Sequence, residues 1–123
     1  MIRAIHHVQL AMPADREGEA VAFYEGTLGI PQLSKPVNLD RRGGCWFKSA
    51  TAEIHLGVEE PFAPARKSQP AFLVDDLAEV RERLASAGRE IIDGEPMEGY
   101  VRFYTSDPFG NRIELASTGT SQQ

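Results

Sequence analysis

Thr105–Ala116, TSDPFGNRIELA, is the stretch whose reading decides the fold. It reads as a strand end, a tight turn and a second strand. Pro108 fixes its own φ, Gly110 can take a positive φ, and Asp107 and Asn111 can bond the local backbone. In the segment after the turn, polar and apolar residues alternate. Ile113 and Leu115 therefore share one face, and Arg112 and Glu114 the other.

Earlier in the chain the same pattern recurs. Over Ala52–Gly57, AEIHLG, the residues Ile54, His55 and Leu56 fall on Ile113, Glu114 and Leu115. A second echo sets His7–Met12, HVQLAM, over Gln69–Val74, QPAFLV, and a helical pattern follows each. His7 and Gln69 lie 62 positions apart, and His55 and Glu114 lie 59 apart. Two nearly equal offsets mean an internal repeat, and a repeat of this length sets the architecture before any single element does.

The bulk properties bound the class. The 123 residues suit one domain with a real core, and the composition is that of an ordinary globular protein. A net charge of −5 argues against a nucleic-acid-binding surface. No apolar run approaches the ~20 residues of a membrane span, and MIRAIHHVQL lacks the apolar core of a signal peptide. A lone cysteine, Cys45, makes no internal disulfide and suits a reducing cytoplasm. It reads as a small buried residue without nucleophilic character.

In chain order, Ile5–Met12 reads as the first strand. Asp15 is the expected N-cap of a helix whose apolar stripe is Val21, Tyr24 and Leu28, with Gly29 just past its end. Pro36–Arg42 reads as a polar connection, and Gly43–Ser49 and Ala52–Val58 as two strands. Residues 59–67 read as a linker between repeat one, about 4–58, and repeat two, about 68–116. Pro70–Val74 is the opening strand of the second repeat. Asp75 or Asp76 caps a helix carrying Leu77, Val80 and Leu84, and Gly88 closes it. Glu90–Asp93, Tyr100–Ser106 and the RIELA segment supply three strands, with Ser117–Gln123 as a loose polar tail.

Two copies of strand, helix and three strands resemble the vicinal oxygen chelate superfamily, which includes glyoxalase I, extradiol dioxygenases, and fosfomycin- and bleomycin-resistance proteins. HHVQLAM and FYEGTLGI carry the resemblance in the first half. PAFLVDDLAEVRERLASAG and DPFGNRIEL carry it in the second. The match spans roughly residues 4–116, and the DPFGN-x-IEL pattern is its most specific part. It implies an α+β fold of two βαβββ repeats in one domain, residues 1–123, with curled mixed sheets forming a cup.

The resemblance also implies metal ligands from the first and last strand of each half: His7, His55, Gln69 and Glu114. Parity agrees, because each lies opposite an apolar pair on its strand. Two imidazoles, a carboxylate and an amide oxygen suit Zn, Ni, Mn, Fe or Co. Gln69 departs from the histidine that many family members carry at this position. Glu114 is also the best placed general base. Trp46, Tyr100, Arg102, Phe103 and Tyr104 are the expected substrate-binding walls, and Arg102 reads equally as a surface strand charge. His6 reads as structural, and Glu53 as facing away from His55.

By this reading the protein is a metal-dependent enzyme of the glyoxalase type, a lyase, isomerase or transferase. The dioxygenases of the superfamily are much longer chains. The alternative is a metal-free protein that sequesters a small molecule or antibiotic, like the bleomycin-resistance proteins. Both readings imply a small-molecule ligand and a homodimer, without nucleic acid or membrane. Whether the halves pair within one chain or between two stays open.

Overall fold

A computed structural model describes residues 1–118. The chain is α+β and divides into two compact units, Met1–Pro64 and a second beginning at Ala65. The division lies inside the 59–67 stretch. Among the described residues no helix is long and apolar enough to cross a membrane.

The first unit contains β1 (Val8–Met12), α1 (Glu17–Val21) continued by a π-helical segment (Ala22–Thr27), β2 (Gln32–Leu33), α2 (Val37–Asp40), β3 (Cys45–Ser49) and β4 (Ala52–Val58). Its sheet has the order β1-β4-β3-β2. β1 runs parallel to β4 with Gln9 opposite His55, and β3 runs antiparallel to β4 with Trp46 opposite His55. Alternation sorts the side chains. Leu10, Met12, Cys45, Phe47, Ile54 and Leu56 are buried on one face, with Ala20, Phe23 and Tyr24 of the helix completing the core. Removing one such side chain from water is worth ~2 kcal/mol.

The helix corrects the expected stripe. Asp15 does not cap it. It stands at φ 66°, and Arg16 is the N-cap residue, without a side-chain cap bond. The Leu28 amide donates to Phe23 O, five residues back, and Ile30 to Tyr24 O, six back. This wider turn rotates the inward face, so Phe23 and Tyr24 are both buried while Val21 and Leu28 are half-buried. Gly29 takes φ 77° just past the helix end, as its position predicts. At Gly44, φ is 82° and an added Cβ would stand 2.1 Å from Leu56 O, so only glycine fits there.

The second unit holds β5 (Ala71–Leu73), α3 (Leu77–Ser86), β6 (Ile92–Asp93), β7 (Tyr100–Ser106) and β8 (Arg112–Thr118). The sheet order is β5-β8-β7-β6, the same topology as in the first unit. β5 runs parallel to β8 with Ala71 opposite Glu114. Ala71 therefore stands to Glu114 as Gln9 stands to His55, the register the internal repeat requires. Asp76 caps α3, its Oδ1 accepting from the Glu79 amide at 3.1 Å. Phe103, Ile113 and Leu115 are buried with Leu77 and Leu84.

The β7–β8 turn is closed by side chains. Asp107 Oδ1 accepts from the amides of Phe109 and Asn111, both at 2.9 Å, and Oδ2 accepts from Asn111 Nδ2 at 2.9 Å. Asn111 Oδ1 in turn accepts from the Ala65 amide at 2.8 Å, which ties the end of the linker to the turn. The last strand is two residues longer than expected, because Tyr100 and Val101 pair with Thr118 and Ser117. Ser117 is buried and is not tail. The remainder of the expected tail, 119–123, lies outside the described residues.

Candidate functional site

In each unit the sheet has a second face, turned from the buried core, and the candidate donors lie there in pairs. On the first unit this face carries Gln9, Trp46, Glu53 and His55, with His7 at the approach to β1. His7 is exposed and precedes the strand by one residue, so β1 is shorter than expected at its start. The His7 and His55 rings stack at a centroid distance of 4.0 Å and 16° between planes. The indole of Trp46 stacks on His55 at 3.9 Å and 5°. His55 is thus the middle ring of three. His6 is exposed, and its Nδ1 lies 2.9 Å from His7 Nδ1.

Glu53 corrects the expectation that it faces away. Residues two apart on a strand share a face, and Glu53 Oε2 lies 2.8 Å from His55 Nε2. The two side chains are only 8% and 6% exposed, which keeps water from competing for the contact. Burial lowers the His55 pKa, outweighing the Glu53 hydrogen bond that would raise it. The hydrogen bond from His55 lowers that of Glu53. The imidazole is therefore neutral, and the carboxylate ionised, near pH 7.

On the second unit the corresponding face carries Gln69, Tyr100, Arg102, Tyr104, Arg112 and Glu114. Glu114 is buried, and its Oε1 accepts from Gln69 Nε2 at 3.3 Å. Its Oε2 accepts from Arg102 at 3.5 Å, and Arg102 Nε also donates to Glu95 O at 3.0 Å. The Arg102 guanidinium is 21% exposed at the side chain, so it is a half-buried cation rather than a surface strand charge. Arg112 lies over the Tyr104 ring at 4.1 Å, and its Nε is buried with no hydrogen-bond partner. Tyr100 is exposed on the same strand face.

Phe103 does not belong to this face. It is fully buried on the other side of β7, with Arg81 of α3 4.9 Å over its ring, so it is core and not substrate wall. Cys45 is likewise core. Burial first, and Glu17 second, push its pKa to about 11 against the opposing effect of Lys35, so the group is a thiol near neutral pH.

The chemistry open to these groups follows from their types. Each unit sets two potential donors side by side: imidazole with imidazole, amide with carboxylate. Within each unit these are nitrogen and oxygen donors of the types that borderline divalent ions accept. Among the described residues no three His, Cys, Asp or Glu side chains are grouped as a metal site. Stacked imidazoles present their in-plane lone pairs side by side. His7 and His55 reach one ion only when a ring turns out of the stack.

Comparison with known proteins identifies the family of the chain. The family model of the Glyoxalase/Bleomycin resistance protein/Dioxygenase superfamily matches residues 4–115. A Bacillus anthracis protein assigned provisionally to the glyoxalase family is 47% identical, with a TM-score of 0.92 over 97% of this chain and 98% of that one. The fosfomycin resistance protein FosX from Listeria monocytogenes, complexed with Mn(II) and sulfate, is 17% identical. Its TM-score is 0.77 over 99% of this chain and 95% of that one. A variant of FosX complexed with Mn(II) and 1S,2S-dihydroxypropylphosphonic acid has the same TM-score, identity and coverage. These FosX structures share the fold. No curated protein matches the chain.

Proposed function

The chain belongs to the glyoxalase/bleomycin resistance/dioxygenase superfamily, and from that premise we propose that it is a metal-dependent small-molecule enzyme of the glyoxalase type. In this reading a divalent ion, one of Zn, Ni, Mn, Fe or Co, is held by His7, His55, Gln69 and Glu114. One observation carries it. Both units set a donor pair on the face away from the core: His7 by His55, and Gln69 by Glu114, with His55 and Glu114 at the same register position. The donor types fit such an ion, and Glu114 supplies the only formal negative charge among them. The Mn(II) held by FosX is consistent with this choice.

The bound ion would supply Lewis acidity towards vicinal oxygens of a substrate. The rest falls to this chain's side chains. Glu114 is the general base, because it is the buried carboxylate of the face and its two protein contacts are long ones, at 3.3 and 3.5 Å. Arg102 pairs with an anionic group on the substrate, exchanging its weak contact with Glu114 for a stronger one. Trp46, Tyr100 and Tyr104 offer flat apolar surface that excludes water.

The metal-free binding protein is the second reading. It is favoured by the fact that Glu114 has Gln69 and Arg102 as partners, at 3.3 and 3.5 Å, without an ion. Elemental analysis of untagged protein separates the two. Near-stoichiometric metal, lost in His7→Ala, is the expected result. Protein without metal after dialysis against Zn, Ni, Mn and Fe salts would sink the enzyme reading and leave the binding protein.

The protein is further proposed to act in the cytoplasm, a compartment that its lone thiol suits, and as a homodimer, since β1 and β5 are each the edge strand of a sheet and an unpaired edge invites a partner strand. Light scattering at micromolar concentration is expected to read the mass of two chains. The mass of one chain would refute the dimer.

A further inference from the structure

We propose that Arg112 and Arg102 form a two-guanidinium seat around the Tyr104 ring, and that this seat takes a doubly charged oxyanion group carried by the small molecule that the face binds.

Arg112 is a cation without a counterpart. Among the described residues no acceptor or carboxylate reaches its guanidinium, and its Nε is buried with no hydrogen bond. A buried N–H left unpaired costs free energy, so something else holds the group in place. The Tyr104 ring does so, with its centroid 4.1 Å from the guanidinium carbon. That contact uses the flat side of the cation and leaves its rim of N–H donors without an acceptor. Nε alone is sealed off, so the terminal nitrogens stay open to a ligand.

Arg102 approaches the same ring, at 5.6 Å. Its Nε donates to Glu95 O at 3.0 Å, and its Nη1 reaches Glu114 at a long 3.5 Å. Gly94 makes room for this packing. A Cβ added there would stand 3.0 Å from Tyr104 Cε2 and 3.2 Å from Arg102 Cγ. Alternation puts Arg112 with Glu114 on β8 and Arg102 with Tyr104 on β7, and Tyr104 pairs opposite Glu114. The two cations are therefore in place before a ligand arrives, which lowers the cost of binding one.

Charge selects the ligand. The face carries two guanidiniums and one carboxylate, so it is positive on a chain of net charge −5. Such a patch draws anions. Two forked cations match a single group with several oxygens and a charge of two. That this group belongs to a substrate rests on the enzyme reading, in which Glu114 turns to the ion and frees Arg102. The seat itself needs no metal.

The test is a sulfate titration of the metal-free full chain at constant ionic strength in a chloride background, followed by the nitrogen-15 spectra of the arginine Nε–H groups. The Arg112 and Arg102 signals are expected to shift together and saturate with one affinity, and acetate is expected to bind at least about 10-fold more weakly. Arg112→Gln is expected to weaken sulfate binding at least about 10-fold. Arg112→Lys, which keeps the charge and loses the fork, is expected to weaken it by less. Lys67→Gln removes an exposed charge from the same unit and is expected to change the affinity by less than about two-fold. An Arg112 signal that sulfate does not move overturns the seat, as does equal weakening by Arg112→Gln and Lys67→Gln. Acetate bound as tightly as sulfate overturns the doubly charged ligand. The wild-type spectra decide the matter even where a variant does not fold. Loss of the seat leaves the metal reading standing, and protein that takes up no metal leaves the seat standing.

Discussion

Asp107→Ala is expected to lower the free energy of unfolding by about 3–5 kcal/mol, the largest single loss of stability among the substitutions considered. The carboxylate is 2% exposed and accepts from three donors: two backbone amides and the Asn111 side chain. Alanine removes these three bonds from a dry site. A hydrogen bond to a charged group is worth about 1.5–3 kcal/mol, and neighbouring losses are not additive. Asn111 is itself tied to the linker end, its Oδ1 accepting from the Ala65 amide, so the loss spreads to that contact.

Asp107→Asn is expected to fall between, at about 1–2 kcal/mol, because its carbonyl can still serve the two amides but its NH₂ would face that of Asn111. Urea unfolding followed by circular dichroism measures both. A loss below about 1 kcal/mol in Asp107→Ala would mean that this network does not hold the turn. The turn matters to the site because it sets the start of β8. A slip of one residue there would carry Glu114 to the core face.

The second large effect concerns Glu114 and depends on the proposed metal. Glu114→Ala is expected to reduce metal affinity by at least about 100-fold, which corresponds to about 2.7 kcal/mol. Any turnover is expected to fall by a larger factor, since the general base goes with the ligand. Two features argue for so large an effect. Glu114 is the only anion in the proposed set, and its contacts with Gln69 and Arg102 are long enough to yield to a stronger partner. Removal would also leave Arg102 beside no carboxylate, adding positive charge where a cation should bind.

Glu114→Gln separates these effects. It preserves the size of the side chain, so the fold should persist while the charge is lost. The two variants are compared by elemental analysis after dialysis and by calorimetric titration with Zn²⁺. Metal retained within a few-fold of wild type in both would remove Glu114 from the ligand set.

The repeat, the turn and the strand parities could all be read from the chain, because each is a property of near neighbours. The offsets of 62 and 59 positions placed His55 and Glu114 in equivalent positions, and the registers Gln9–His55 and Ala71–Glu114 repeat that equivalence in space. DPFGN closes its turn with its own side chains. Period two assigns Ile54 and Leu56 to one face and His55 to the other. The same rule puts Glu53 with His55, so that partner was present in the spacing although the initial reading turned it away.

Tertiary structure decided what spacing leaves undetermined. Which of Trp46 and Phe47, or of Phe103 and Tyr104, lies beside the donors depends on which sheet face the helix covers. The helix of each unit covers the face that holds Phe47 or Phe103, which leaves Trp46 free to stack on His55. The inward rotation of Phe23 comes from a π-helical turn whose bonds span five residues, and the 3.6-residue pattern cannot register it. The Arg102–Glu114 pair joins residues on two strands, and the His7–His55 stack brings together residues 48 positions apart. A strand's alternation is set by the backbone alone. Which face is dry, and what its polar side chains touch, is set by elements that reach it from elsewhere in the chain.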